Sequence, residues 1–439
     1  PRGAPGGDAA PKFIGRFVFP EAHPEQNIAG PRFDWSGSSI TVRFEGTSKI
    51  TAKLRPFGGV AAHGGLTVTQ DQLFEFVVDD RPPTVRHITV KKDAVGNPTL
   101  EPQVDYDIDG LDPAKAHEVT IFRNTEAQKG PTEFLGFDLH GGTMLPPTRR
   151  ARRMEFIGDS ITCGYGNEGK HATCPFEVTL REAKDAQGNP AIAVDTGKPI
   201  AVTVPITENQ YLTFASIAAR ALDADAVVTC WSGKGVYVNY KERTIFDPVT
   251  KAPVPERDAK VTMAELWEKR TLANAQDEFP WDFKAEKPEE IPQVVFITLG
   301  TNDFARDNVP VSTDPDKLSG DNIPDGDLAK PEEREKFFAA YLALVSKVRE
   351  HRPDAHIFLA VPPMLSDQFP IDNARSLLRD TLRRIVSDRA AAGDQKVYHM
   401  DLVEMGFRYG LGCDYHPNLE VHRIMADQVT GAVRSKTCW

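Results

Sequence analysis

The segment Met154-Glu155-Phe156-Ile157-Gly158-Asp159-Ser160-Ile161-Thr162-Cys163-Gly164-Tyr165-Gly166 decides how this chain is read. A short apolar run leads into Gly-Asp-Ser, and small residues follow. That pattern predicts a strand whose carboxyl end presents a serine hydroxyl, the place where open α/β sheets put their chemistry. A serine is a weak nucleophile unless a base and oxyanion donors stand near it. Two later segments supply them. Ile297-Thr298-Leu299-Gly300-Thr301-Asn302-Asp303 reads as another strand end, carrying an amide. Gly412-Cys413-Asp414-Tyr415-His416-Pro417-Asn418 brings a histidine just before a C-terminal helix.

Outward from Met154, strands and helices alternate. Ala226 to Cys230, Val294 to Leu299, His356 to Val361 and Val397 to Met400 read as strands. Tyr211 to Leu222, Glu332 to Glu350, Asp372 to Ala392 and Leu419 to Val433 have apolar residues at helical spacing. Alternation of this kind predicts a mostly parallel sheet covered by helices on both faces. Upstream the pattern changes. Ile40 to Phe44, Leu73 to Val78, Val85 to Val90 and His117 to Phe122 are short and β-rich, with Gly, Pro and Asp between them. They predict an all-β sandwich. The expected division is residues 1–147 for the sandwich and 148–439 for the α/β hydrolase domain, with the basic run Arg149 to Arg153 as a solvated join. Pro175 to Thr207 reads as a β-like insertion, and Ala305 to Pro331 as a loop shaping the substrate site.

The four site segments resemble the SGNH (GDSL) hydrolase superfamily, named for its Ser, Gly, Asn and His. Gly158-Asp159-Ser160, Gly300-Thr301-Asn302-Asp303 and His416-Pro417 are similar to its first, Asn and last blocks. Trp231-Ser232-Gly233-Lys234-Gly235-Val236-Tyr237 stands where the Gly block belongs, with Gly233 and Gly235 both open as the donor. The stretch Asp34 to Thr47, then Asn124-Thr125-Glu126, and the Gly and His blocks narrow the resemblance to carbohydrate esterase family 2. That resemblance implies an N-terminal jelly roll followed by a flavodoxin-like SGNH domain. It also implies removal of acetyl groups from plant polysaccharides such as xylan and glucomannan.

The expected roles follow. Ser160 is the nucleophile and His416 the base. The oxyanion donors are the Ser160 N–H, a glycine N–H from Gly233 or Gly235, and the Asn302 amide, each aimed at charge that develops in the transition state. The superfamily's usual Asp three residues before the histidine is replaced by Cys413. Asp414 is therefore open as an orienter or as a structural loop residue, with a backbone carbonyl as the alternative orienter. Trp231 and Tyr237 are candidate sugar contacts, while Trp35 is expected in the sandwich core. Asp159 and Asp303 are expected to brace their loops. Rival readings are a GDSL lipase or thioesterase, and a carbohydrate-binding protein with an inactive hydrolase domain.

Composition is compatible with this and excludes other classes. In 439 residues, hydrophobic residues make up 40% and charged residues 26%, as in ordinary globular domains. A net charge of −11 argues against a nucleic-acid surface. No apolar run long enough to span a membrane is present. No metal or organic cofactor is expected, and the cysteines lack ligand spacing with histidines. The five cysteines leave two arrangements open, a Cys163–Cys174 disulfide or five reduced thiols, with Cys230 as a core residue. The substrate expected is an acetylated polysaccharide, and the compartment extracellular or periplasmic.

Overall fold

The computed structural model describes residues 8–24, 28–56, 60–65, 67–87, 105–185, 187–194, 197–240, 244–246, 253–255, 261–274, 279–305, 327–406 and 408–439. Five strands form one parallel sheet: β1 (Arg152–Gly158), β2 (Ala224–Cys230), β3 (Val294–Thr298), β4 (His356–Val361) and β5 (Val397–Asp401). Their spatial order is β2-β1-β3-β4-β5, the flavodoxin-like order, whose switch point lies beside β1. The apolar runs Val294-Val295-Phe296-Ile297 and Ile357-Phe358-Leu359-Ala360-Val361 are buried throughout, as strands covered on both faces require. Register fixes the site. Gly158 pairs with Cys230 on one side and Thr298 on the other. Three loops therefore leave the sheet from one level edge.

Helices cover both faces. α1 (Ser160–Cys163), α2 (Phe214–Ala221) and α7 (Leu419–Lys436) belong to the layer that buries Phe156, Phe214, Val228, Phe296 and Met425. On the other face α3 (Met263–Lys269), α5 (Pro331–His351) and α6 (Ala374–Ala391) bury Ile157, Trp267, Ile297, Phe337, Tyr341 and Leu382. A further short helix, α4 (Thr301–Phe304), carries the Asn block. α5 starts with Pro331 in its first turn, followed by Glu332 and Glu333, and ends with Arg349 and His351. That charge order complements the helix dipole.

The N-terminal part is a β-sandwich. One antiparallel sheet holds Lys12–Ile14, Ser39–Glu45, His117–Arg123, Leu73–Val78 and Thr84–His87, with Thr143–Leu145 paired to Ser39–Glu45. The other holds Arg32–Phe33, Thr132–Asp138, Lys49–Pro56 and Asp105–Asp109. Their inner faces share a core that includes Val42, Phe44, Ala52, Leu54, Phe76 and Val119. Of the expected strand Val85 to Val90, the last three positions lie outside the described residues.

Two expectations are corrected. Trp35 is fully buried, but not in the sandwich core. It joins the cluster containing Ile157, Val236, Met263 and Trp267, and its indole N–H donates to the Thr271 carbonyl at 2.9 Å. The tryptophan thus plugs the sandwich into the core of the α/β part. The cysteines pair as Cys163–Cys230 and Cys174–Cys413, leaving Cys438 free and exposed. Cys163 and Cys174 are therefore not partners, and Cys230 is buried as a cystine. The reason is tertiary: parallel pairing of β1 with β2 brings Cys230 beneath the nucleophile helix.

The expected insertion contains a hairpin, Glu177–Glu182 with Ala201–Pro205. Its small apolar cluster packs Ala183, Ala191 and Val202 against Ala62 and Val68 of the sandwich part. Of the loop expected from Ala305 to Pro331 to shape the substrate site, residues 306–326 lie outside the described residues, and Pro331 already opens α5.

Candidate active site

Gly158 ends β1 because a Cβ there would meet the Thr162 side chain at 2.0 Å. Asp159 then caps α1, its carboxylate accepting the Ile161 N–H at 3.0 Å. This sharp strand-to-helix turn leaves the Ser160 hydroxyl at the sheet edge. α1 stops after four residues at Gly164, whose φ of 91° lies in the left-handed region. Gly166 follows, so close to Cys413 that a Cβ would meet the Cys413 carbonyl oxygen at 2.7 Å. The nucleophile loop and the histidine loop are in direct backbone contact: Cys413 N–H donates to Gly166 O at 3.0 Å.

The histidine loop makes an unusual turn. Asp414 and Tyr415 have φ of 49° and 59°, a conformation costing an L-residue roughly 1–2 kcal/mol. The Cys174–Cys413 bond, the Asp414 N–H to Ala172 O bond and the His416 N–H to Cys413 O bond hold it there. The turn folds the Asp414 carbonyl back onto the imidazole. His416 Nδ1 lies 2.9 Å from that carbonyl and Nε2 lies 2.8 Å from Ser160 Oγ. A carbonyl only accepts, so Nδ1 carries the proton and Nε2 accepts from the serine hydroxyl. Burial lowers the imidazole pKa to about 4, offset in part by Asp414. The ring is thus neutral near pH 7, the form that can take a proton.

The Asp414 carboxylate does not touch His416's ring nitrogens. It accepts from the Tyr165 hydroxyl at 2.7 Å. Tyr165 stacks on Phe176 at 3.6 Å between ring centres and leans on His416 at 4.5 Å. Neither Tyr165 nor Phe176 is marked by the sequence. Their roles depend on the insertion folding back over the nucleophile loop, which leaves no local signature. The other histidines stand elsewhere. His422 is buried and accepts the Phe214 N–H at 3.1 Å, His356 bonds Tyr398, and His399 faces Asp401.

Two further loops face Ser160. The Asn302 amide donates to Lys234 O at 2.9 Å and only loosely to Asp159 at 3.4 Å. The block after β2 resolves the two glycines physically. Gly235 N–H donates to Asn239 Oδ1 at 3.1 Å, so that amide is occupied. A Cβ on Gly235 would meet Val238 O at 2.0 Å and the Asp303 carboxyl at 2.7 Å. Its glycine is required for packing. Gly233 instead has φ of 79° with open space around a Cβ, and its N–H has no acceptor among the described residues. The Ser160 N–H, at the first turn of α1, is likewise without one.

Beneath this loop lies Asp303. Its carboxylate accepts the N–H groups of Val236, Tyr237 and Val238. Burial raises its pKa to about 6 despite those bonds. Burial, helped by Asp303, raises Asp159 to about 7. Both residues brace backbone, as expected from the sequence. Tyr237 is tied down through its hydroxyl, which donates to buried Glu333 at 2.9 Å. Trp231 is partly exposed. Tyr415, next to His416, is 61% exposed.

The arrangement joins a hydroxyl to a neutral imidazole, beside two free backbone N–H groups and a side-chain amide. Similarity to known proteins agrees with it. A family model described as Carbohydrate esterase 2 N-terminal matches residues 13–148, and one described as GDSL-like Lipase/Acylhydrolase family matches residues 258–424. "Cellulase/esterase CelE" of Acetivibrio thermocellus is 30% identical over 97% of this chain. The chain spans 39% of that relative's length. An "Acetylxylan esterase / glucomannan deacetylase" of Cellvibrio japonicus is 25% identical, over 84% of this chain and 79% of its own length. Among solved structures, a family two carbohydrate esterase from Clostridium thermocellum in complex with cellohexaose is 28% identical. It covers 97% of this chain and 99% of that one, with a TM-score of 0.65. With a sandwich, a 2-1-3-4-5 sheet and full-length likeness of this kind, the chain belongs to carbohydrate esterase family 2.

Proposed function

We propose that this chain is a serine carbohydrate O-acetylesterase that removes acetyl groups from plant polysaccharide of the xylan or glucomannan type. The observation that carries the reading is the Ser160–His416–Asp414 carbonyl relay, at 2.8 and 2.9 Å. Ser160 Oγ attacks the acetyl carbonyl while His416 Nε2 takes its proton. The resulting oxyanion is held by the N–H groups of Ser160 and Gly233 and by the Asn302 amide. His416 returns the proton to the departing sugar oxygen, leaving acetyl on Ser160. Water, deprotonated by the same nitrogen, then attacks the acetyl carbonyl; the bond to Ser160 Oγ breaks, the imidazole returns its proton to that oxygen, and acetate leaves. Each oxyanion donor contributes about 3–4 kcal/mol in comparable sites.

Trp231 is the proposed sugar contact, since an aromatic face suits the apolar face of a pyranose and this ring is accessible beside the Gly block. Tyr237, by its bond to Glu333, is better suited to bracing the block. We assign residues 1–147 to the sandwich domain and 148–439 to the hydrolase domain. Two disulfides in one chain favour an oxidising compartment, outside the cell or in the periplasm. Among the described residues no helix is long and apolar enough to cross a membrane. The test is acetate release from acetylated xylan, glucomannan and pectin, beside acetate and octanoate 4-nitrophenyl esters. The reading expects release from xylan or glucomannan and preference for the acetate ester. Preference for octanoate with no polysaccharide turnover would make the protein a lipase-like enzyme.

A further inference from the structure

The Gly233 amide has little to hold it in place. A Cβ there would touch nothing within 4 Å, so packing does not set the direction of its N–H. Its carbonyl accepts the Tyr240 N–H at 2.8 Å, which fixes one side of the residue. The other side belongs to Ser232. Ser232 is held from the sandwich: its N–H donates to Glu126 Oε2 at 2.7 Å, and its hydroxyl donates to Glu126 Oε1. A single carboxylate thus takes both hydrogen bonds that the residue before Gly233 can donate.

Glu126 is itself rigid. It is 4% exposed and caps the short 3₁₀ turn Ala127–Lys129. Its carbonyl accepts from the buried Arg123 guanidinium at 3.1 Å. Its carboxylate is also hydrogen-bonded to Glu208, 2% exposed, whose pKa burial and the Glu126 charge push well up. Burial raises the Glu126 pKa as well, a rise that the Ser232 donors and nearby Lys129 offset in part. A buried carboxyl group that served stability alone would be replaceable by apolar packing. Here it ends on the backbone beside the free N–H.

We propose that Glu126 is a positioning residue for the hydrolase: by gripping both donors of Ser232 it orients the Gly233 peptide so that its N–H meets the substrate oxyanion. The proposal rests on the esterase reading above. It gives the sandwich a part in the chemistry, acting through Ser232, without contact with substrate.

The test uses the full chain with Glu126→Ala, Glu126→Gln and Ser232→Ala, assayed for kcat and KM on 4-nitrophenyl acetate. Hydrogen exchange is followed in the peptide covering 231–236. Loss of a whole oxyanion donor costs about 10²–10³ in kcat. A misdirected one should cost a part of that. Glu126→Ala is therefore expected to lower kcat about ten- to hundredfold, with KM within about threefold and faster exchange at 231–236. Glu126→Gln, which can still accept the Ser232 N–H, should recover most of the loss. If Glu126→Ala does not fold, Ser232→Ala carries the test, with a several-fold loss confined to kcat. A folded Glu126→Ala with unchanged kcat, or a loss wholly in KM, overturns the inference and leaves the esterase reading standing. A wild type inactive on every acetyl ester overturns the esterase reading, and this inference with it.

Discussion

The imidazole of His416 must keep its proton on Nδ1 if Nε2 is to receive one from Ser160. A carboxylate does this in the familiar triad and also stabilises the imidazolium. Here the acceptor is a neutral carbonyl, that of Asp414, while the Asp414 side chain holds the Tyr165 hydroxyl. The side chain should then matter little to the chemistry. Asp414→Asn keeps an oxygen for Tyr165 and leaves the carbonyl in place. Its kcat/KM on an acetyl ester should fall about tenfold or less, against a loss of several orders of magnitude for His416→Ala. Equal losses would show that the carboxylate charge takes part. The residue types at this site were legible in the sequence because chemistry needs them at strand ends. The choice between carbonyl and carboxylate was not, since it depends on two left-handed residues that nothing local announces.

At the scale of elements, the histidine loop is joined to the nucleophile loop by backbone bonds and by the Cys174–Cys413 disulfide. The bond closes a sequence separation of 239 residues. Chain-entropy reasoning puts its contribution on the order of 3–5 kcal/mol. It also steadies the strained turn that aims the Asp414 carbonyl. Cys174→Ser should lower the melting temperature and reduce kcat several-fold, with faster hydrogen exchange at 410–417. An unchanged kcat with a lowered melting temperature would confine the bond to stability. Strands β1 to β5 and the four long helices were readable because apolar periodicity is local. Disulfide partners were not, because Cys413 meets Cys174, and Cys163 meets Cys230, only after the loops and the parallel sheet assemble. Gly233 and Gly235 look alike in sequence. They separate only when Asn239 and Asp303 are seen beneath the loop.

For the whole molecule, the sandwich is built into the hydrolase rather than hung on it. Trp35 fills the core behind β1, and the Asp34 carboxylate accepts the N–H groups of Ala273 and Asn274. Arg16 donates to the Trp267 and Arg270 carbonyls at 2.7 Å. Contacts spanning more than two hundred residues leave no periodic trace, which is why sequence placed Trp35 in the wrong core. The assembly converges on one hydroxyl, and the most direct test of the account is acetate release by Ser160→Ala beside the wild type. The side chain is small and 6% exposed, so the variant should fold with an unchanged circular dichroism spectrum. The account predicts that its kcat/KM on 4-nitrophenyl acetate falls by several orders of magnitude. A folded Ser160→Ala that keeps more than about a tenth of wild-type activity would contradict it, because an attacking atom cannot be removed so cheaply.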